Sequence, residues 1–464
     1  MKQRRWSIGI AWVALIAFTL ACGSTSTPTP APDSTPTVYV APTVYVPPEE
    51  ETPGEATAAP SPEPTAAPPA PTAEPAPLTR IVFTDGGNLW IVEGDAAPRQ
   101  LTSSGADSAP RISPDGRWVL FNRDLPPGPA ELLRFELRAI GTDGSGERLL
   151  VAADALPGEL GTPMGWETEV LLDRLPYQVA WRPDSRAVVF NTIIQGGYGL
   201  AHNDDLWQAD VGGGGVDRLL EDGDGGQFAI SPDGAYIVVA NPTTVAMTDA
   251  GGGNRRVMVT FGAVNTASEY AYRPLASWAP DSSHALVLIS DPEPFAEGAT
   301  GDVWRLPAAG GAVHVVTLTG SFLFDSMEGT LWSPDLSYMA YTVPVEPLTN
   351  NRDLVIAAGD GSAPTVYANG WVQWLGWARS HYRFTYWRDN PGEVYLGQLG
   401  EVAVRLVPPD VAERVDTVRW LDADSFVYLA GTRGAFDLCV GEVGGGYRTI
   451  ASLAGDFPSF DVYP

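Results

Sequence analysis

The chain has 464 residues and sets 28 basic against 56 acidic side chains, a formal net charge of -28. That charge argues against a nucleic-acid partner, whose phosphates it would repel, and against simple electrostatic adhesion to an anionic lipid surface. With 44% hydrophobic residues and 15 tryptophans, there is ample material for a buried core.

In chain order, the first element is an address. Lys2, Arg4 and Arg5 precede an apolar run from Ile8 to Leu20. Residues 1–21 therefore read as a secretory signal, too short and wrongly flanked for a stable transmembrane helix. The run closes on Thr19-Leu20-Ala21-Cys22-Gly23, which resembles the bacterial lipoprotein box, with Thr19 where that family usually has Leu. The resemblance implies that Cys22 is lipidated and that the domain is secreted and held to the membrane by its lipid, at the cell surface or in the periplasm. Residues 22–77 continue as Pro, Thr, Ala, Ser and Glu, interrupted by TVYV islands at Thr37–Val40 and Thr43–Val46. Such composition cannot bury enough apolar surface to offset chain entropy, so a disordered linker is expected. At about 3 Å per residue in the polyproline conformation it would span more than about 100 Å.

From residue 78 one pattern recurs. The stretch ISPDGRWVLF (Ile112–Phe121) returns from Ala180, Ala229, Ser277 and Leu331, and in eroded form from Gly376 and Arg419. Each copy reads as a short apolar strand, a tight turn and a second apolar strand. Ser opens the turn, Pro presets φ, Asp bonds its own backbone and Gly takes the positive-φ position. Measured at Pro114, Pro183, Pro232, Pro280, Pro334, Arg379 and Asp422, the spacings are 69, 49, 48, 54, 45 and 43 residues. A second half follows in each copy, as in NLWIVEG (Asn88–Gly94), DLWQADVGGGG (Asp205–Gly215) and DVWRLPAAGG (Asp302–Gly311), where an alternating strand enters a Gly-rich hairpin. Period-two alternation bounded by Gly and Pro predicts an all-β array of four-stranded units, a single β-propeller over 78–464.

The W-S-P-D-G turn followed by D-L-W resembles the TolB-like, WD-repeat-like propeller family, which includes the propeller domains of prolyl-oligopeptidase-type enzymes. The resemblance covers essentially everything after the linker and implies fold far more than function. Seven turns are visible, yet Arg80–Phe83 is a second strand without a first, and Phe457–Tyr463 a first strand with nothing after it. Pairing the two closes the ring, removes two exposed edges and makes eight blades. Seven is the alternative if Ala152–Gln178 hides an irregularity.

Within a blade, the first-to-second and third-to-fourth connections share one face, and here they are tight. The long insertions fall on the other face, at Asn122–Arg134, Ala152–Gln178, Thr192–Asp204, Gly262–Leu275, Asp291–Gly301 and Pro344–Arg352. Loops on a rigid scaffold are where binding residues sit. The candidates are Trp166, Glu167, Glu169, Tyr177, Tyr198, His202, Glu269, Tyr270, Tyr272 and Phe295. Aromatics beside carboxylates suit a protein, peptide or glycan partner, through stacking and charge-assisted hydrogen bonds. The membrane would be met through the lipid alone.

Chemistry of the chain's own finds little support. Asp115, Asp184, Asp233, Asp281 and Asp335 recur at one place in each turn, which points to capping. His202, His284, His314 and His381 lie in different repeats without ligand spacing, so no metal and no cofactor is expected. His202-Asn203-Asp204-Asp205 has the oxygen donors for a calcium ion, although a strand-capping Asp explains it as well. No G-x-S-x-G elbow and no hydrolase segment accompanies the array. Cys439 stands where other repeats have an aromatic, as a buried small hydrophobe.

Overall fold

The short strands read in the sequence assemble into eight radial sheets. The computed structural model describes residues 79–463 apart from 129–131, 164–165, 197–198, 324, 326–330, 346–350, 380–381, 389–392, 407–414, 433 and 456–457. The expected signal segment, Cys22 and the expected linker lie outside these residues. Blade 1 combines Phe460–Tyr463 with Arg80–Asp85, Asn88–Glu93 and Arg99–Gln100. Blade 2 runs from Asp107–Ile112 to Arg148–Val151, blade 3 from Arg174–Trp181 to Val216–Leu220, and blade 4 from Gln227–Ile230 to Arg256–Thr260. Blades 5, 7 and 8 start at Ala276–Trp278, Val372–Trp377 and Val415–Trp420. Blade 6 has three full strands, beginning with Tyr338–Pro344, and a single bridge from Trp332 to Met339 in place of its first. Every named element among the described residues is a β-strand.

The ring closes as the phase of the repeat predicts. Arg80 pairs with Tyr463, Ile81 with Val462, Val82 with Asp461 and Phe83 with Phe460. The eight-blade reading therefore holds, and the seven-blade alternative does not.

The core is a set of layers between neighbouring blades. Successive residues of a second strand point to opposite neighbours, so both faces are buried and the strand reads as an unbroken apolar run. Ile81 and Phe83 pack with Val427 and Leu429 of blade 8, while Val82 packs with Val119 of blade 2. The same holds for Val188 and Phe190 toward blade 2, and Val189 toward blade 4.

Two polar devices join the inner strands. Their free edges expose unpaired backbone groups, and side chains from the preceding blade bond them. Ile112 N donates to Asp461 Oδ2 at 2.8 Å, and Gln178 both donates to Phe228 O at 2.8 Å and accepts from Phe228 N at 3.0 Å. The second device is an indole at the strand end. Trp181, Trp278 and Trp377 donate through Nε1 to the carbonyls of Arg111, Ala229 and Leu331, coupling blade 3 to 2, 5 to 4 and 7 to 6.

The turns follow the sequence chemistry. Ser113 Oγ donates to Asp115 Oδ1 at 2.6 Å and accepts from Trp118 N at 3.0 Å, while Gly116 takes φ 69°. Gly116 also lies against the closure: a Cβ there would stand 2.7 Å from Arg80 Nη1 and 2.9 Å from Tyr463. At Gly234, with φ 71°, a Cβ would meet only Pro183 at 3.6 Å. Gly116→Ala should therefore destabilise the fold by about 2–3 kcal/mol and Gly234→Ala by about 1 kcal/mol. Urea denaturation of the two variants measures the difference; equal losses would mean that the closure yields to the added methyl.

Candidate binding face

The fold gathers several of the sequence candidates on the long-loop face of blades 3 to 5. Tyr177 lies in the first strand of blade 3 and is half-buried. His202 ends a short extension, Gly199–His202, that pairs back onto the second strand of the same blade. The two rings meet edge-on, with centroids 4.7 Å apart. The loop after blade 4 brings Tyr270 and Arg273 close enough for both to act electrostatically on Tyr177. Burial, with Tyr270 second, pushes the Tyr177 phenol above its ordinary range. Burial and the Arg273 charge bring the His202 imidazole down from 6.5 to about 4, so it is neutral at pH 7.

Arginines organise this face. Arg273 is 7% exposed and grips Asp204 with both ends of its guanidinium, Nε to Oδ1 at 2.5 Å and Nη2 to Oδ2 at 2.8 Å. That bidentate pair ties the loop after blade 4 to blade 3. Arg174, 4% exposed, donates to Asp205 at 2.8 Å, Asp222 at 2.8 Å, Glu159 at 2.7 Å and the carbonyl of Pro157 at 3.1 Å. Burial disfavours the Arg174 charge, but Asp222 and Asp205 outweigh it and raise its pKa; Asp222 is lowered in return by the Arg174 hydrogen bond. Asp205, fully buried, also accepts from Thr192 N at 2.9 Å and Trp207 Nε1 at 2.5 Å. The same contacts fix the two carboxylates of His202–Asp205. Asp204 and Asp205 turn to separate guanidinium groups, and among the described residues no His, Cys, Asp or Glu cluster has metal-holding geometry.

The other candidates are dispersed. Trp166 is 42% exposed, with Glu167 and Glu169 exposed beside it, on a hairpin that Arg174 anchors. Glu269 is exposed, and Phe295 is half-buried against the core between blades 4 and 5. Tyr272 is a core residue at 1% exposure, its hydroxyl donating to Leu288 O and accepting from Ser290 N at 3.0 Å. Tyr198 and Cys22 lie outside the described residues. Sequence reasoning missed Arg174 and Arg273; an arginine placed at the edge of a Pro-containing apolar segment, as in Arg174-Leu175-Pro176 and Arg273-Pro274, is the signal present at both.

Elsewhere the chemistry is sparse. A cavity of about 350 Å³ opens on the opposite, tight-turn face, lined by Arg182, Arg186, Gln208 and Asp210 among others. Arg182 is already committed there, to Gln208 Oε1 at 2.8 Å, Ala250 O at 2.9 Å and Gly234 O at 3.1 Å. The carboxyls raised by burial, Asp124, Asp325 and Asp461, belong to blades 2, 6 and 1 and form no pair with one another. Cys439 is buried at 1% exposure in the core between blades 7 and 8.

Among solved structures, Porphyromonas gingivalis dipeptidyl peptidase 4 aligns over 74% of this chain and 53% of its own, at 12% identity and a TM-score of 0.48. TolB from Acinetobacter baumannii aligns over 61% of each chain at 15% identity and a TM-score of 0.30. The β-propeller domain of the trilobed protease from Pyrococcus furiosus aligns over 75% of this chain and 95% of its own, at 12% identity and a TM-score of 0.43. The chain spans about half the length of the peptidase and 61% of TolB. No family model matches the sequence, and no curated protein matches it.

Two outcomes follow from these groups. Between pH 6.5 and about 4 the unfolded chain protonates His202 and the folded chain does not, so stability is highest above 6.5 and falls with pH. The loss reaches roughly 3 kcal/mol at most. His202→Phe keeps an aromatic edge against Tyr177 and should remove that slope from urea midpoints measured across the window; an unchanged slope would assign it to other groups. Arg174→Met strands the buried Asp205 charge and should cost about 3–5 kcal/mol, whereas Glu159→Gln, at the exposed end of the network, should cost under about 1 kcal/mol.

Proposed function

We propose that this protein is a membrane-anchored extracytoplasmic propeller lipoprotein that binds a protein or peptide partner through its long-loop face. The observation that carries the reading is the convergence of Tyr177, His202 and Tyr270, from three separate segments, around the Arg273–Asp204 pair. A neutral imidazole and two half-buried phenols offer flat apolar area together with hydrogen-bonding tips, the character of an interaction surface. The arginine clamps hold the loops in place before any partner arrives, which lowers the ordering cost of association. Anchoring rests on the Ala21-Cys22 junction that ends the apolar run.

Both halves have direct tests. Growth with a labelled fatty acid should mark the full-length protein, and Cys22→Ser should abolish the label; retained label would remove Cys22 from the role. A photo-crosslinking amino acid in place of Tyr270 should give a discrete protein adduct in intact cells, and the same group in place of Asp184, on the tight-turn face, should give none. Adducts confined to the Asp184 position would move the working surface to the other side of the ring.

A further inference from the structure

The insertion between blades 2 and 3 contains a ribbon of two short strands, Glu159–Gly161 and Val170–Leu172. Its two faces differ sharply. On one face Leu172 is 3% exposed, and a Cβ at Gly161 would stand 2.6 Å from its side chain. On the outer face Leu160 and Leu171 sit directly opposite each other in the register, 72% and 61% exposed. Leu171 also borders a narrow cleft with Leu132 and Leu133 from the loop of blade 2. Two leucines paired outward on a ribbon make an apolar ledge, and among the described residues no other strand pairs with Glu159–Gly161, whose outer edge stays open.

Charge identifies what fits there. Residues 152–173 hold Asp154, Glu159, Glu167, Glu169 and Asp173 and not one lysine or arginine. Glu159 is neutralised by Arg174 and Asp173 by Arg134. Asp154, Glu167 and Glu169 are exposed and, among the described residues, have no ion-pair partner. The ribbon is also fixed in advance, since Arg174 holds both Glu159 and the carbonyl of Pro157.

Resting on the reading of the long-loop face as a binding surface, we infer that this ribbon docks an extended basic segment of a partner protein. The segment adds as a third strand along Glu159–Gly161 and sets alternate aliphatic side chains beside Leu160 and Leu171, while its lysines or arginines lie in the field of the free carboxylates. Main-chain pairing supplies affinity and the alternate side chains supply selectivity.

The probe is a synthetic hexapeptide alternating lysine with valine or leucine, titrated calorimetrically into the full-length protein, beside a control with glutamate in place of lysine. The basic peptide should bind, weaken as salt rises, and slow hydrogen exchange at Glu159–Gly161; the acidic control should not bind. The double variant Leu160→Ser/Leu171→Ser leaves every charge in place and alters only exposed side chains. It should lose at least tenfold in affinity with an unchanged unfolding midpoint, while Leu160→Ile/Leu171→Ile should bind as the wild type does. Glu167→Gln/Glu169→Gln should weaken binding and flatten its salt dependence. No binding by the wild-type protein, or equal binding by the serine variant, overturns the inference, the latter by reducing the effect to bulk attraction toward an acidic protein. Crosslinking from the Tyr270 position is independent of these variants, so failure at the ribbon is distinguishable from failure of the binding face as a whole.

Discussion

The architecture depends on four residue pairs, those joining Arg80–Phe83 to Phe460–Tyr463. Because the core consists of layers between blades, no blade can bury its faces alone, and the terminal blades have one neighbour each until the ring shuts. Closure adds the one missing layer, Ile81, Phe83 and Val462 against blade 8, to the layer that Val82 and Leu89 make with blade 2. It also delivers Asp461 to the free edge of Ile112. Buried, with its pKa raised mainly by burial and lowered in part by the Ile112 amide, Asp461 is a polar clasp beside an apolar one.

How legible this was in the sequence follows from how local each determinant is. The turn at Ser113–Gly116 is set by residues within five positions, and its hydrogen bonds are those its composition implies. Even so, Ser185, Ser282 and Leu336 occupy the left-handed conformation where the motif prefers glycine, with φ near 60°. In those blades the pattern survived because the surrounding strands impose the turn. Closure was legible from phase alone, since a second strand without a first has one partner that completes it.

The candidate face was legible only as a region. Arg174 reaches Asp205 and Asp222 across 31 and 48 residues, and Arg273 reaches Asp204 across 69. No periodicity encodes such contacts, and an arginine destined for burial looks like any other until its carboxylates are in place. Tyr272 misleads for a related reason. In sequence it is one more loop aromatic, but its hydroxyl finds the backbone of Leu288 and Ser290, and that pairing draws the ring into the core.

The arginine clamps and the net charge of -28 are two sides of one arrangement. With 56 acidic side chains and 28 basic ones, guanidinium groups are the scarce partner. On the long-loop face Arg174 and Arg273 are buried and engaged with several carboxylates, rather than spread over the surface. Internal cations hold the loops rigid, and the carboxylates left outside give the face its sign. A ring whose interior is fixed by apolar layers can carry that imbalance without strain, because exposed like charges on separate loops remain in high dielectric. Rigidity of the loops and the negative sign of the face thus come from the same uneven distribution of arginine.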